Sequence, residues 1–275
     1  MGMLRIVGLT MVLFLMGAGM AFAAEAANND ACTSCHDVTE AKYSKNMHAT
    51  ASCVSCHGEA TEHQQDPSVL DMIDPNDPKQ AETVNAGCMS CHAANQKMMF
   101  WEGSAHEAGD ASCTSCHNIH TVGTETVEMD SCLSCHKDVR RDVNKFSHHP
   151  LKEGKMECSS CHDVHGTLAP ALIKDADFTN ELCYTCHTEK RGPYRFAHPP
   201  VEENCLSCHS AHGTNSPRLL TENLRNTCSN CHSYEHHPQI VNEDPGSRNT
   251  AMTRQASCLN CHGNIHGSNT DHHFR

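Results

Sequence analysis

All 20 cysteines of this chain fall in one repeated pattern, Cys-x-x-Cys-His. It begins at Cys32, Cys53, Cys88, Cys113, Cys132, Cys158, Cys183, Cys205, Cys228 and Cys258. On a short helix, positions i, i+3 and i+4 share one face. Two thiols there can add to the two vinyl groups of one porphyrin, and the imidazole that follows reaches the iron from the same side. The pattern is the attachment sequence of c-type haem. A single copy would also suit a redox dithiol or half of a zinc site. Ten copies leave no cysteine for either, and zinc does not require a histidine after every second cysteine.

Ten covalently attached haem c groups are therefore expected. Their thioethers would come from Cys32 and Cys35, Cys53 and Cys56, Cys88 and Cys91, Cys113 and Cys116, Cys132 and Cys135, Cys158 and Cys161, Cys183 and Cys186, Cys205 and Cys208, Cys228 and Cys231, and Cys258 and Cys261. The proximal iron ligands would be His36, His57, His92, His117, His136, His162, His187, His209, His232 and His262.

This density limits the fold. The longest stretch between motifs, residues 58–87, spans 30 residues, too few for a domain with its own core. Only 4% of residues are aromatic. The haems must supply the core. The fold class expected is a multihaem cytochrome c, mostly coil with short α-helices wrapped around an elongated chain of ten haems and little or no β-sheet. Helical pieces should carry the motifs, as in FTNELCYTCHTEK, where Thr179 or Asn180 could be the N-cap. Asp74-Pro75-Asn76-Asp77-Pro78 reads as turn.

Fourteen of the 24 histidines lie outside the motifs, and they are not scattered. His48 and His63 flank the second motif, His106 and His120 the fourth, His148/His149 and His165 the sixth, His198 and His212 the eighth, His236/His237 and His266 the tenth. Surface histidines near turns would not keep such a count. The repeating unit is motif, His, motif, His, starting near residues 32, 88, 132, 183 and 228. One decahaem domain, residues 24–275, built of five dihaem units, is expected. One extra imidazole per haem allows bis-histidine coordination throughout. Aligning Phe146-Ser147-His148 with Phe196-Ala197-His198, and with Tyr234-Glu235-His236, favours His148 and His236 over His149 and His237. His272 and His273 read as dispensable.

His165 and His212 follow a proximal histidine by three residues and can hardly reach the far face of the same iron. They should serve a neighbouring haem. Gly166, Gly213 and Gly267, after His165, His212 and His266, let the chain turn there. Met98 and Met99 are conceivable thioether ligands, but filler suits them better.

Residues 1–23 have one basic residue, Arg5, an apolar run and an Ala21-Phe22-Ala23 cleavage site, the pattern of a secretory signal peptide; an uncleaved anchor is the alternative. Without a cysteine before Cys32 a lipoprotein anchor is not expected. Net charge is -13 with neutral histidines, which disfavours nucleic acid as a partner.

The runs CYTCHTEKRGPYRFAHPPVEENCLSCHSAHGT (183–214) and HHPLKEGKMECSSCHDVHGT (148–167) resemble decahaem c-type cytochromes of the MtrA/DmsE family. The likeness covers the mature chain in motif number and is most specific over residues 145–235. It implies a periplasmic, outer-membrane-associated electron carrier. Such a wire would lie at or inside a β-barrel porin and relay electrons between periplasmic carriers and an extracellular acceptor or partner cytochrome. A soluble periplasmic shuttle or storage cytochrome is the second reading. A multihaem reductase is the third, disfavoured because it needs an iron with a vacant face. Lys137, Arg140, Arg141 and Lys145, with Lys190, Arg191 and Arg195, could pair with haem propionates or stand at solvated helix ends.

Overall fold

The structure is a computed structural model and describes residues 29–36, 45–121, 127–174, 179–232 and 257–275. The signal-peptide reading of residues 1–23, and His236 and His237, lie outside these residues. Eight short α-helices occur among them: α1 (Asp30–Thr33), α2 (Val54–His57), α3 (Ala81–His92), α4 (Met129–Cys135), α5 (Lys137–Val143), α6 (Thr179–Tyr184), α7 (Pro199–Glu203) and α8 (Leu224–Ser229). The described residues contain no β-sheet, only isolated bridges. The fold is that of a multihaem cytochrome, short helices joined by coil.

The two motifs of a unit take different local forms. The first motif begins on an α-helix: α1, α3, α4, α6 and α8 each contain the first cysteine of one. The second starts in α2 or in a 3-10 turn, Cys113–Ser115, Cys158–Ser160, Cys205–Ser207 or Cys258–Asn260. Polar residues stop these turns from unwinding. The Ser112 side chain accepts from the Ser115 N–H, Asn204 from Leu206, and Glu157 and Ser160 form a reciprocal capping pair.

In the first, second and fourth units the halves are joined by an asparagine set three residues before the first cysteine; the third and fifth have Met129 and Arg225 there. The Asn29 side chain donates to the Ala51 carbonyl and accepts from the Cys53 N–H, at 3.2 and 3.0 Å. Asn85 does the same with Ala111 and Cys113, at 3.0 and 2.8 Å. Asn180 donates to Val201 and accepts from Cys205, at 2.9 and 2.7 Å. This corrects the sequence expectation for Asn180. It does not cap its own helix; it secures the backbone where the next motif begins. An Asn side chain offers one acceptor and one donor group, so it can satisfy two backbone groups of another segment at once.

Apolar burial is sparse, as the composition implies. Among the described residues the buried apolar side chains are Ala60, Ala81, Val84, Trp101, Leu133 and Val143. These small clusters sit beside the motifs and do not form one protein core. No helix among the described residues is long and apolar enough to cross a membrane.

Candidate functional site

Each motif closes into one helical turn. The His N–H reaches the carbonyl of the first cysteine at 2.9–3.0 Å, for example His36 to Cys32, His162 to Cys158 and His262 to Cys258. This places both thiols and the imidazole on one side.

Nine of the ten motif imidazoles face a second imidazole. The pairs are His36 with His63, His48 with His92, His57 with His120, His106 with His136 and His117 with His165. The others are His149 with His187, His162 with His212, His198 with His232 and His209 with His266. Ring centroids lie between 5.8 and 6.4 Å apart. A metal sits about 2 Å from an imidazole nitrogen, itself about 1 Å from the ring centre, so two rings on one ion stand about 6 Å apart. The spacing fits an iron held between the rings. No three metal-ligating side chains converge anywhere among the described residues. Among the described residues His262 faces no second imidazole, and His236 and His237 lie outside them.

The pairing is regular. A histidine upstream of an even-numbered motif faces the first motif of the next unit: His48 with the third, His106 with the fifth, His149 with the seventh, His198 with the ninth. A histidine downstream of an even motif faces the second motif of the previous unit: His120 with the second, His165 with the fourth, His212 with the sixth, His266 with the eighth. His63 has no previous unit and turns to the first motif of its own.

The structure differs from the sequence expectation at one histidine pair. His149, not His148, faces His187. His148 is held elsewhere, Nδ1 donating to the Lys145 carbonyl at 2.7 Å and Nε2 lying 3.1 Å from Glu153. The cause is strand register. Ser147 bridges Thr214, and Phe196 bridges Ser268. Thr214 and Ser268 hold the same place after His-Gly, so Ser147 corresponds to Phe196 and His149 to His198. Matching the two phenylalanines shifts the comparison by one residue, which in extended chain turns every side chain to the other face.

Backbone carbonyls orient many of these rings through Nδ1. Among motif histidines, His162 donates to Ala171 at 2.8 Å, His209 to Arg218 at 2.9 Å and His262 to His273 at 2.6 Å. Ala171, Leu172, Arg218 and Leu219 have φ between 56° and 59°, a left-handed conformation that costs a non-glycine residue roughly 1 kcal/mol. That strain aims the Ala171 and Arg218 carbonyls at the imidazoles. Such an N–H bond fixes tautomer and orientation and makes the other nitrogen a better ligand.

Burial, with a smaller contribution from the facing imidazole, holds His48, His120, His165, His198 and His212 below the ordinary histidine value. For His266 burial leads, followed by Lys190 and then His209. Lowered values favour the neutral ring, the form with a lone pair for a metal.

The cysteines form a continuous series. Within each unit the two first thiols interact: Cys32 with Cys53, Cys88 with Cys113, Cys132 with Cys158, Cys183 with Cys205, Cys228 with Cys258. Between units the electrostatic influence passes from Cys88 to Cys56, Cys135 to Cys116, Cys183 to Cys161 and Cys231 to Cys208. Burial first, then the neighbouring thiol, pushes Cys132, Cys183 and Cys228 up to about 11. The attachment sites thus follow one another in sequence order.

Several of the basic side chains singled out in the sequence are engaged by the chain itself. Lys145 lies 2.7 Å from Asp142, Arg191 2.9 Å from Glu181 and Arg141 3.1 Å from Asp142. Met99 is 63% exposed, and His117 already faces His165, so neither the fourth site nor the other eight paired sites need a methionine.

Comparison with known proteins agrees with this geometry. The doubled CXXCH motif family matches residues 148–192 and 198–237, and the NrfB-like c-type cytochrome family matches residues 53–130. The chain is 38% identical over 264 residues to the multihaem cytochrome MtrA of Shewanella baltica, covering 87% of this chain and 78% of that one. It is 30% identical over 130 residues to the cytochrome c-type protein NrfB of Escherichia coli, covering 42% of this chain and 68% of that one.

Proposed function

Because the chain belongs to the multihaem c-type cytochromes related to MtrA, we propose that it is a ten-haem electron relay that crosses the outer membrane inside a β-barrel porin. Haem supplies reversible one-electron chemistry at each centre. The polypeptide fixes where the centres stand and closes both faces of each iron. The proposed distal ligands are His48, His63, His106, His120, His149, His165, His198, His212 and His266, with His236 or His237 for the tenth site. Each proximal histidine follows its two thioether cysteines.

The observation that carries this reading is the row of facing imidazoles. Two rings per centre leave no face for a substrate, which favours outer-sphere transfer over catalysis. The nearness of successive cysteines, felt in their mutual effect on one another's ionisation, supports a single file of haems along the five units. The proposed domain is residues 24–275, exported by a cleaved signal peptide at residues 1–23.

A bilayer core is about 30 Å thick and excludes unsatisfied irregular backbone from lipid contact. A loop-rich chain of this kind needs a barrel to shield it, and large barrels have polar interiors. The donors would be periplasmic redox proteins, and the acceptor extracellular or a partner cytochrome. The test is reconstitution in liposomes that enclose a redox dye. The cytochrome with its cognate barrel should move electrons across the bilayer, and neither should do so alone. Equal transfer without the barrel, or failure to bind it, would favour a soluble periplasmic shuttle.

A further inference from the structure

We propose that the residue-His pair that follows the fourth, sixth, eighth and tenth motifs is a junction clasp, serving two haem sites in different units at once. The inference rests on the ligand reading above and adds residues that bind no iron. Take Ala211-His212-Gly213. The His212 ring faces His162 of the sixth motif. The Ala211 carbonyl accepts from Nδ1 of His149 at 2.7 Å, and His149 faces His187 of the seventh motif. One peptide unit therefore sets the second imidazole of one site and orients the second imidazole of the next. A Cβ on Gly213 would overlap the Asp142 carbonyl, so glycine lets this segment lie directly on the preceding unit.

The arrangement recurs. The His165 ring faces His117 of the fourth motif, while the Val164 carbonyl accepts from His106 at 2.9 Å, the ring facing His136 of the fifth. His266 faces His209 of the eighth, while the Ile265 backbone lies near His198, which faces His232 of the ninth. Here Nδ1 of His198, shielded from solvent, lacks a well-aligned partner, so this third clasp is the loosest. Gly166 meets the Phe100 carbonyl as Gly213 meets that of Asp142, whereas Gly267 lies against the Tyr194 ring.

The first junction shows the same function built from different parts. His120 faces His57 of the second motif, but Thr121 stands where the others have glycine. The gap is bridged by Asn46, which is 7% exposed. Its Nδ2 donates to the Ile119 carbonyl at 2.7 Å and also to that of Thr121, while Oδ1 lies 3.1 Å from Nδ1 of His48, which faces His92 of the third motif. A buried amide side chain replaces the direct contact and keeps the link. Two junctions linked through a backbone carbonyl and one linked through Asn46 share this connectivity, and the last brings the same residues together without the hydrogen bond.

The clasp positions ligands and binds no iron, so its signature is a paired spectroscopic change. Asn46→Ala removes the first link without replacing a haem ligand. Intact mass and the low-spin spectrum of the wild type first establish the haem count and ligation, independently of the clasp. In the variant, the electron paramagnetic resonance difference spectrum should integrate to two haems, and potentiometry should show two potentials displaced with eight unchanged. Gly213→Ala is the second arm and should displace the sixth and seventh sites together. A change confined to one haem in both variants, or no change in correctly folded Asn46→Ala, would overturn the proposal. If Gly213→Ala loses haem or does not fold, the Asn46→Ala result decides alone.

Discussion

The choice between two adjacent histidines shows how much hangs on one residue of register. His149→Ala should leave the seventh iron with one imidazole and produce a high-spin or water-bound signal, with every haem still attached. His148→Ala should leave the ligand set intact and cost only its contacts to Lys145 and Glu153. Optical spectra of the two purified variants check this, and the opposite pattern would return the ligand to His148. His198→Ala and His212→Ala should each behave like His149→Ala. The pH response follows from the buried rings. His48, His120, His165, His198, His212 and His266 have folded-state values below the ordinary histidine value of 6.5. The unfolded chain then takes up protons first, so their contribution to stability is full above about pH 6.5 and is lost as pH falls through the lowered values. Metal ligation acts in the same direction. An acid titration followed optically should show low-spin haem persisting at pH 7 and high-spin haem growing in only on the acid side of 6.5.

At the scale of elements, the motifs were legible in the sequence because thioether attachment demands fixed spacing. The flanking histidines were legible because they repeat with the unit. The asparagine clamps were missed, although a signal was present: Asn29, Asn85 and Asn180 each precede the first cysteine of a unit by three residues. Their partners, Ala51, Ala111 and Val201, lie 21 to 26 residues away, and no local propensity points to a contact at that distance. Asn180 was read as a possible helix cap because cap and clamp use the same residue type. Replacing Asn85 by Ala should strand the Cys113 N–H and the Ala111 carbonyl and destabilise the unit by about 1–2 kcal/mol. Chemical denaturation of the holoprotein measures it, and His272→Ala is a control expected to change little. His149 rather than His148 faces His187 for a different reason: the backbone bridges of Ser147 and Phe196, and not the neighbouring aromatic residues, set the register.

Among the described residues, the five units of paired motifs are tied together by imidazoles that cross between them. This explains how a chain with few buried apolar side chains can hold a defined order of sites. Each unit takes a second ring from a neighbour, so no unit is complete alone. Pairing across units could not be read from sequence, since spacing shows that His165 leaves its own site without showing which site receives it. An intact mass exceeding the apo-chain by ten haem units is expected, and free thiols in the native protein would contradict the count. The central claim is that every iron lies between two imidazoles and so passes electrons without binding substrate. Quantitative low-temperature magnetic circular dichroism of the fully oxidised holoprotein, normalised to haem content, tests it most directly. The predicted result is bis-imidazole low-spin signal accounting for all the haem. A high-spin component equal to one haem or more in the native protein would contradict it and point to a site open for chemistry.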